Sequence, residues 1–181
     1  MAESYLLGEF VDITSSKRIK RADYVSTGVP FYRSKEVIEL AKGKKISTEL
    51  FISEEQFSEI LVKFGAPKRG DILLTAVGTL GVSWQVDDDS YFYFKDGNLI
   101  WFKGFDSELD SIYFLYWLRS KIGQRQLDGI SIGSTQRALT IAGLKSIPFS
   151  PPKLKHQKAI AQILGALDDK IEVNQKMNQT L

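Results

Sequence analysis

The chain has 181 residues, 43% hydrophobic and 12% aromatic, with 24 Lys and Arg against 22 Asp and Glu for a net charge of +2. This supplies a core for one domain and an appendage, and no apolar run reaches the roughly 20 residues of a membrane-spanning helix. The lack of cysteine excludes disulfides and thiolate chemistry, Met1–Ser4 carry no basic segment leading into an apolar one, and a cytoplasmic home is the expectation; a charge so near balance neither argues for nor excludes nucleic acid.

From the amino end, Tyr5–Ile13 reads as a strand, Thr14–Asp23 as a polar basic loop and Phe31–Val37 as a second strand. Ser53–Phe64 reads as a helix, with Ser53 as its cap and Glu54, Glu55 and Gln56 in its first turn, and Pro67 and Gly70 end that element. Asp71–Val77, Val82–Val86, Ser90–Phe94 and Leu99–Lys103 read as strands, joined by the turns Gly78-Thr79-Leu80-Gly81, Asp87-Asp88-Asp89 and Asp96-Gly97-Asn98. An amphipathic helix over Ser107–Ile122 carries Ile112, Leu115, Tyr116 and Leu118. A polar, flexible loop from Gly123 to Gln136 and a short helix over Leu139–Lys145 follow, and a long helix from Lys155 closes the chain. No internal repeat is visible. The fold class is therefore α/β, a mixture of short strands and helices, with one globular domain over 1–150 and a protruding coiled-coil helix over 151–181.

That last helix places Ile160, Leu164, Leu167 and Ile171 at alternating steps of four and three, which is a coiled-coil seam. Continued, the seam predicts Asn174, Asn178 and Leu181, two of them polar amides of the kind that fix register and partner number. At 1.5 Å per residue, Lys155 to Leu181 would span roughly 40 Å and outreach its own domain.

Order and vocabulary along the chain resemble the specificity (S) subunits of type I restriction-modification systems. The matches are Gly133-Ser134-Thr135-Gln136, then Leu139, Leu144 and Ile147, then Pro151-Pro152 with Gln157, then Leu164-Gly165-Ala166-Leu167-Asp168-Asp169-Lys170-Ile171. Upstream, Tyr5 to Ile13 is similar to the family's opening strand, Val29 to Ser34 to its second patch and Gly70 to Thr75 to its central strand. His156 departs from the Glu that the family places before Gln157. The resemblance implies a target-recognition domain that reads one half of a split site in double-stranded DNA, and a spacer helix that sets the gap to the other half. It also implies docking to modification subunits, which carry S-adenosylmethionine and methylate adenine, and through them to an ATP-driven restriction subunit. With one recognition domain, the chain is expected to be either a half-subunit that forms a homodimer through Ile160, Leu164, Leu167, Ile171 and Asn174, or a fragment whose helix pairs with a second spacer helix.

Three loops qualify as the binding surface, because readout needs side chains aimed into a groove by a rigid scaffold. Ser15 to Arg21 offers Lys17, Arg18, Lys20 and Arg21 for phosphates, or is simply a solvated charged loop. Arg33, Ser34 and Lys35 follow an aromatic, or only end a strand. Ser134, Thr135, Gln136 and Arg137 combine close backbone approach with side chains able to grip adenine or guanine edges, or else brace the helix that follows. Thr79 sits in a glycine loop that either approaches DNA closely or merely turns a hairpin.

No catalytic residue, metal ligand or cofactor is expected in this chain. Ser150-Pro151-Pro152 superficially matches the start of the amino-methyltransferase motif, but Lys153 stands where that motif needs a stacking aromatic. His156 is the sole histidine, and Asp87-Asp88-Asp89 are adjacent carboxylates on one turn rather than ligands gathered from separate strands. The alternative to DNA recognition is a helix-mediated protein-interaction module without direct DNA binding.

Overall fold

The computed structural model describes residues 5–46, 48–134 and 136–179, apart from the side chains of residues 175, 176 and 179. Its strands are β1 (Asp12–Thr14), β2 (Val29–Tyr32), β3 (Phe51–Ile52), β4 (Ile72–Thr75), β5 (Ser83–Gln85), β6 (Tyr93–Phe94) and β7 (Leu99–Lys103). Its α-helices are α1 (Ser34–Leu40), α2 (Glu54–Phe64), α3 (Ser111–Arg119), α4 (Lys121–Ile130), α5 (Ile141–Lys145) and α6 (Leu154–Gln179). The mixed α/β class and the long final helix are as expected from the sequence.

β4 and β7 are apolar on both faces, so they must be covered on both sides. They pair antiparallel with Leu73 opposite Trp101, at the centre of a four-stranded sheet ordered β1-β7-β4-β5. Because side chains alternate along a strand, Ile72, Leu74, Ile100 and Phe102 pack on α3, α4 and α5, while Leu73, Leu99 and Trp101 pack on Val37 of α1 and on Phe92 and Phe94. A second sheet, β3-β2-β6, is antiparallel at β2–β3 and parallel at β2–β6, and α2 covers it through Phe57 and Ile60.

Several expected boundaries move, each for a local reason. The amino-terminal segment is no continuous strand: Leu7–Glu9 form a 3-10 turn in which Glu9 accepts the Leu6 N–H at 2.8 Å, Leu7 donates to the Ile147 carbonyl at 2.9 Å, and only Asp12–Thr14 extend. The second strand stops at Tyr32, because the Glu36 carboxylate accepts the Arg33 N–H at 2.8 Å and so starts α1 where extension to Val37 was expected. The supposed flexible loop after Ile122 contains α4, whose first turn is capped by the Ser120 hydroxyl accepting from the Gly123 N–H at 3.1 Å and whose Leu127 is buried. A side chain at residue 123 would meet the Trp117 carbonyl oxygen at 2.1 Å, which is why glycine sits where α3 turns into α4. By contrast α2 keeps its predicted cap, with Ser53 Oγ accepting from the Gln56 N–H at 3.1 Å.

The base of α6 is held by an amide. Gln157, fully buried, accepts from the Asp110 N–H at 2.9 Å and donates to the carbonyls of Glu108 and Pro152, each at 2.7 Å. Three turns further on, Asp168 accepts the Tyr116 hydroxyl at 2.9 Å and lies 3.8 Å from the Arg119 guanidinium. Burial, the Asp168 hydrogen bond and its charge push the Tyr116 phenol up to about 12, so the ring keeps its proton at neutral pH. Described side chains from Asp169 to Asn178 are exposed, and the 26 residues of α6 extend about 39 Å.

Candidate nucleic-acid interface and helix seam

Strand register gathers most of the expected loops at one end of the four-stranded sheet. β1 and β4 leave the sheet there, and β5 and β7 enter it, so Thr14, Thr75, Ser83 and Leu99 mark a common edge. The basic loop departs from β1 at this edge and is pinned by its backbone and small side chains. Ser15 Oγ donates to the Leu99 carbonyl at 3.1 Å, the Lys17 N–H to Tyr93 Oη at 2.7 Å and the Lys20 N–H to Asp23 at 3.0 Å, while Ile19 is buried. Lys17, Arg18, Lys20 and Arg21 are all exposed, and none forms an ion pair among the described residues. A buried isoleucine among outward cations is the arrangement expected of a presented loop.

The Gly78–Gly81 loop leaves β4 at the same edge, with exposed Thr79 at its tip. It lies beside the Gly133 segment, because Val77 and Ile132 both bridge to Ala138 and Leu139 donates to the Ala76 carbonyl at 2.9 Å. Gly133 holds a φ of 90° and any side chain there would meet the Gln136 carbonyl at 2.5 Å. Ser134 and Gln136 are exposed, and Thr135 lies outside the described residues. Arg137, in contrast, is occupied: its guanidinium donates to the Asp128 carboxylate at 3.0 Å, the Asp128 carbonyl at 3.1 Å and Ser131 Oγ at 2.6 Å. These contacts tie the segment back to the end of α4, the preceding helix, and not to the helix that follows, which was the alternative expected from the sequence.

Arg33 is occupied as well. It meets the buried Glu36 carboxylate at 2.8 Å and approaches Glu49 at 3.9 Å, Ser34 has a buried hydroxyl, and Lys35 is exposed with its ammonium 4.0 Å from the same Glu49 carboxylate. Burial pulls the Glu36 pKa upward, but hydrogen bonds from the Arg33 side chain and backbone and from its own N–H, with the Arg33 charge, outweigh it and hold the carboxyl below its ordinary value. A depressed folded-state value means the contribution is present above the unfolded glutamate range and lost as pH falls through the folded one. Arg33→Met should therefore cost about 2 kcal/mol, less than a fully buried pair because the guanidinium reaches solvent, and the cost should shrink in acid; equal urea midpoints for variant and wild type at neutral pH would refute it. The sequence pattern also holds three further cations, Lys42, Lys44 and Lys45, exposed in the loop after α1 and carrying the same signal as the first basic loop.

On α6 two stripes lie side by side. Gln157, Ala161, Leu164 and Asp168 face the domain, with Leu164 half-buried at the border, while Ile160, Ile163, Leu167 and Ile171 are exposed, continued by Asn174 on the same side. The residues expected to form the seam thus make an exposed apolar stripe, except that Leu164 is shared with the domain and Ile163 joins in. Leu181 lies outside the described residues.

Residues 2–181 match the profile of the family described as Type I restriction modification DNA specificity domain. The chain is 34% identical over 163 residues to a putative type I restriction enzyme specificity subunit, S.HindORF215P, of Haemophilus influenzae, covering 90% of this chain and 39% of the relative. It is 27% identical to the type I restriction enzyme MjaVIII specificity subunit of Methanocaldococcus jannaschii, covering 97% of this chain and 41% of that one. Among solved structures, the HsdS subunit from Thermoanaerobacter tengcongensis superposes with a TM-score of 0.65 at 17% identity, over 97% of this chain and 39% of that one. The type I S subunit from M. genitalium superposes with a TM-score of 0.61 at 19% identity, over 94% of this chain and 40% of that one. The chain therefore spans about two fifths of the length of these relatives.

Proposed function

Because the chain belongs to the family of type I restriction-modification DNA specificity domains, we propose that it is a non-catalytic module that reads one half of a split site in double-stranded DNA. The observation that carries this reading is the cluster of pinned loops with free cations at one edge of the four-stranded sheet, on the same body as a helix that offers an uncovered seam. In this reading Lys17, Arg18, Lys20, Arg21 and Lys35 neutralise phosphates, and Thr79, Ser134 and Gln136 reach the groove. Arg33 and Arg137 contribute through the loops they hold.

Through Ile160, Leu164, Leu167, Ile171 and Asn174 the module pairs with a second copy or with the second spacer helix of a longer subunit, and burying each apolar side chain contributes about 1.5 to 3 kcal/mol. Adenine-methylating modification subunits, and the restriction subunit they recruit, are the partners, in the cytoplasm. No helix of the described residues is long and apolar enough to cross a membrane.

Methylome sequencing tests this. Deleting the complete gene should erase adenine methylation at one split motif, and Leu167→Glu with Ile171→Glu should do the same while the chain stays folded, since both side chains are exposed. An unchanged methylome on deletion would reject DNA recognition and leave the helix as a protein-interaction device.

A further inference from the structure

A small cleft beside the basic loop, lined by Thr14, Ser15, Lys17, Phe64, Tyr93, Trp101 and Lys103, has a volume of about 220 Å³. Its two ammonium groups are laid over aromatic faces, Lys17 Nζ 4.4 Å from the Phe64 ring centre and Lys103 Nζ 4.2 Å from that of Trp101. Such contacts hold a lysine in place while leaving its charge unneutralised. Neither lysine forms an ion pair among the described residues. Tyr93 Oη accepts the Lys17 N–H at 2.7 Å, and its own proton goes to no acceptor among the described residues. The nearby Asp71 carboxylate accepts the Trp101 Nε1–H at 2.8 Å, is 3% exposed, and interacts electrostatically with Lys103 without forming an ion pair with it.

We propose that this cleft seats one backbone phosphate of the bound DNA, between the Lys17 and Lys103 ammonium groups and the Tyr93 hydroxyl. The inference rests on the DNA-recognition reading above. An anion fits better than a stacked base: Trp101 and Tyr93 are 3% and 1% exposed, and the lysines occupy the faces that Phe64 and Trp101 would otherwise offer. Two fixed cations with an adjacent donor match phosphate oxygens, and fixing a phosphate positions the domain on the duplex without itself reading sequence.

The test uses the complete subunit assembled with its modification partner, and two duplexes, one carrying the methylated motif and one of random sequence. Lys103→Gln and, separately, Tyr93→Phe should weaken binding to both duplexes by the same factor. The lysine change should also lower the salt slope by about one unit, whereas the phenylalanine change should leave the slope intact because it removes no charge. Unchanged affinity for both variants, while removal of Arg18, Lys20 and Arg21 still weakens binding, overturns the cleft and keeps the DNA reading. No loss from any of these changes overturns both. A loss confined to the motif duplex overturns the phosphate assignment in favour of base reading. Urea unfolding of each variant shows whether Tyr93→Phe has damaged the core; Lys103→Gln, on a half-buried and unpaired side chain, then carries the test alone.

Discussion

Replacing Gln157 with methionine is expected to destabilise the domain by about 1 to 3 kcal/mol, because a backbone group that loses its partner costs that much when buried and less where water reaches it, as at Glu108, Asp110 and Pro152. The substitution nearly conserves volume, so the loss reports hydrogen bonding rather than a cavity. Three groups lose their partner at once: the Asp110 N–H and the carbonyls of Glu108 and Pro152. Asp110 is also the cap of α3, its carboxylate accepting the Tyr113 N–H at 2.8 Å, so the damage reaches the helix against which α6 packs. A urea midpoint within error of the wild type would show that these groups find water or another partner.

Replacing Lys17, Arg18, Lys20 and Arg21 together by alanine should leave the fold intact and lower the salt slope of DNA binding by about three to four units, one near-unit for each phosphate released. The loss should be the same on cognate and random duplexes, since phosphate contacts position the protein and carry no sequence information. Stability should hold because the loop is anchored by Ser15, the Lys17 N–H and Ile19 rather than by the four cations. Measured Kd values and a slope that match the wild type would place this loop outside the interface.

What the sequence made legible depended on how local the decisive contacts are. β7 could be bounded to the residue because Leu99–Phe102 is an apolar run with Asn98 before it and Lys103-Gly104 after it, and α2 announced itself through the Ser53 cap three residues before Gln56. α4 escaped notice because, of its side chains, only Leu127 is deeply buried, its cap Ser120 stood inside what read as one longer helix, and Gly123 looked like a breaker although it answers to the Trp117 carbonyl. The amino-terminal turn is decided by Ile147, far along the chain, which no local pattern reports. In the candidate interface the same limit applies. The cations were countable, but which were free was not: the Arg137 partners lie on α4, and one end of the Lys17–Lys103 cleft comes from β1 and the other from α2 and β7. The Glu36 partner of Arg33 lay only three residues away and was within reach of a capping argument.

The two attachments of α6 have a mechanical meaning. Gln157 and Asp168 are eleven residues apart, about 16 Å along the axis, and a rod fastened at one point pivots whereas one fastened at two does not. The helix is thus held at two points along its length, the buried Gln157 amide at its base and the exposed Asp168 contact further out, so the three turns between them keep one direction relative to α3. The direction of the exposed stripe of α6 is therefore tied to that of α3, which packs on the same four-stranded sheet from which the basic loop departs.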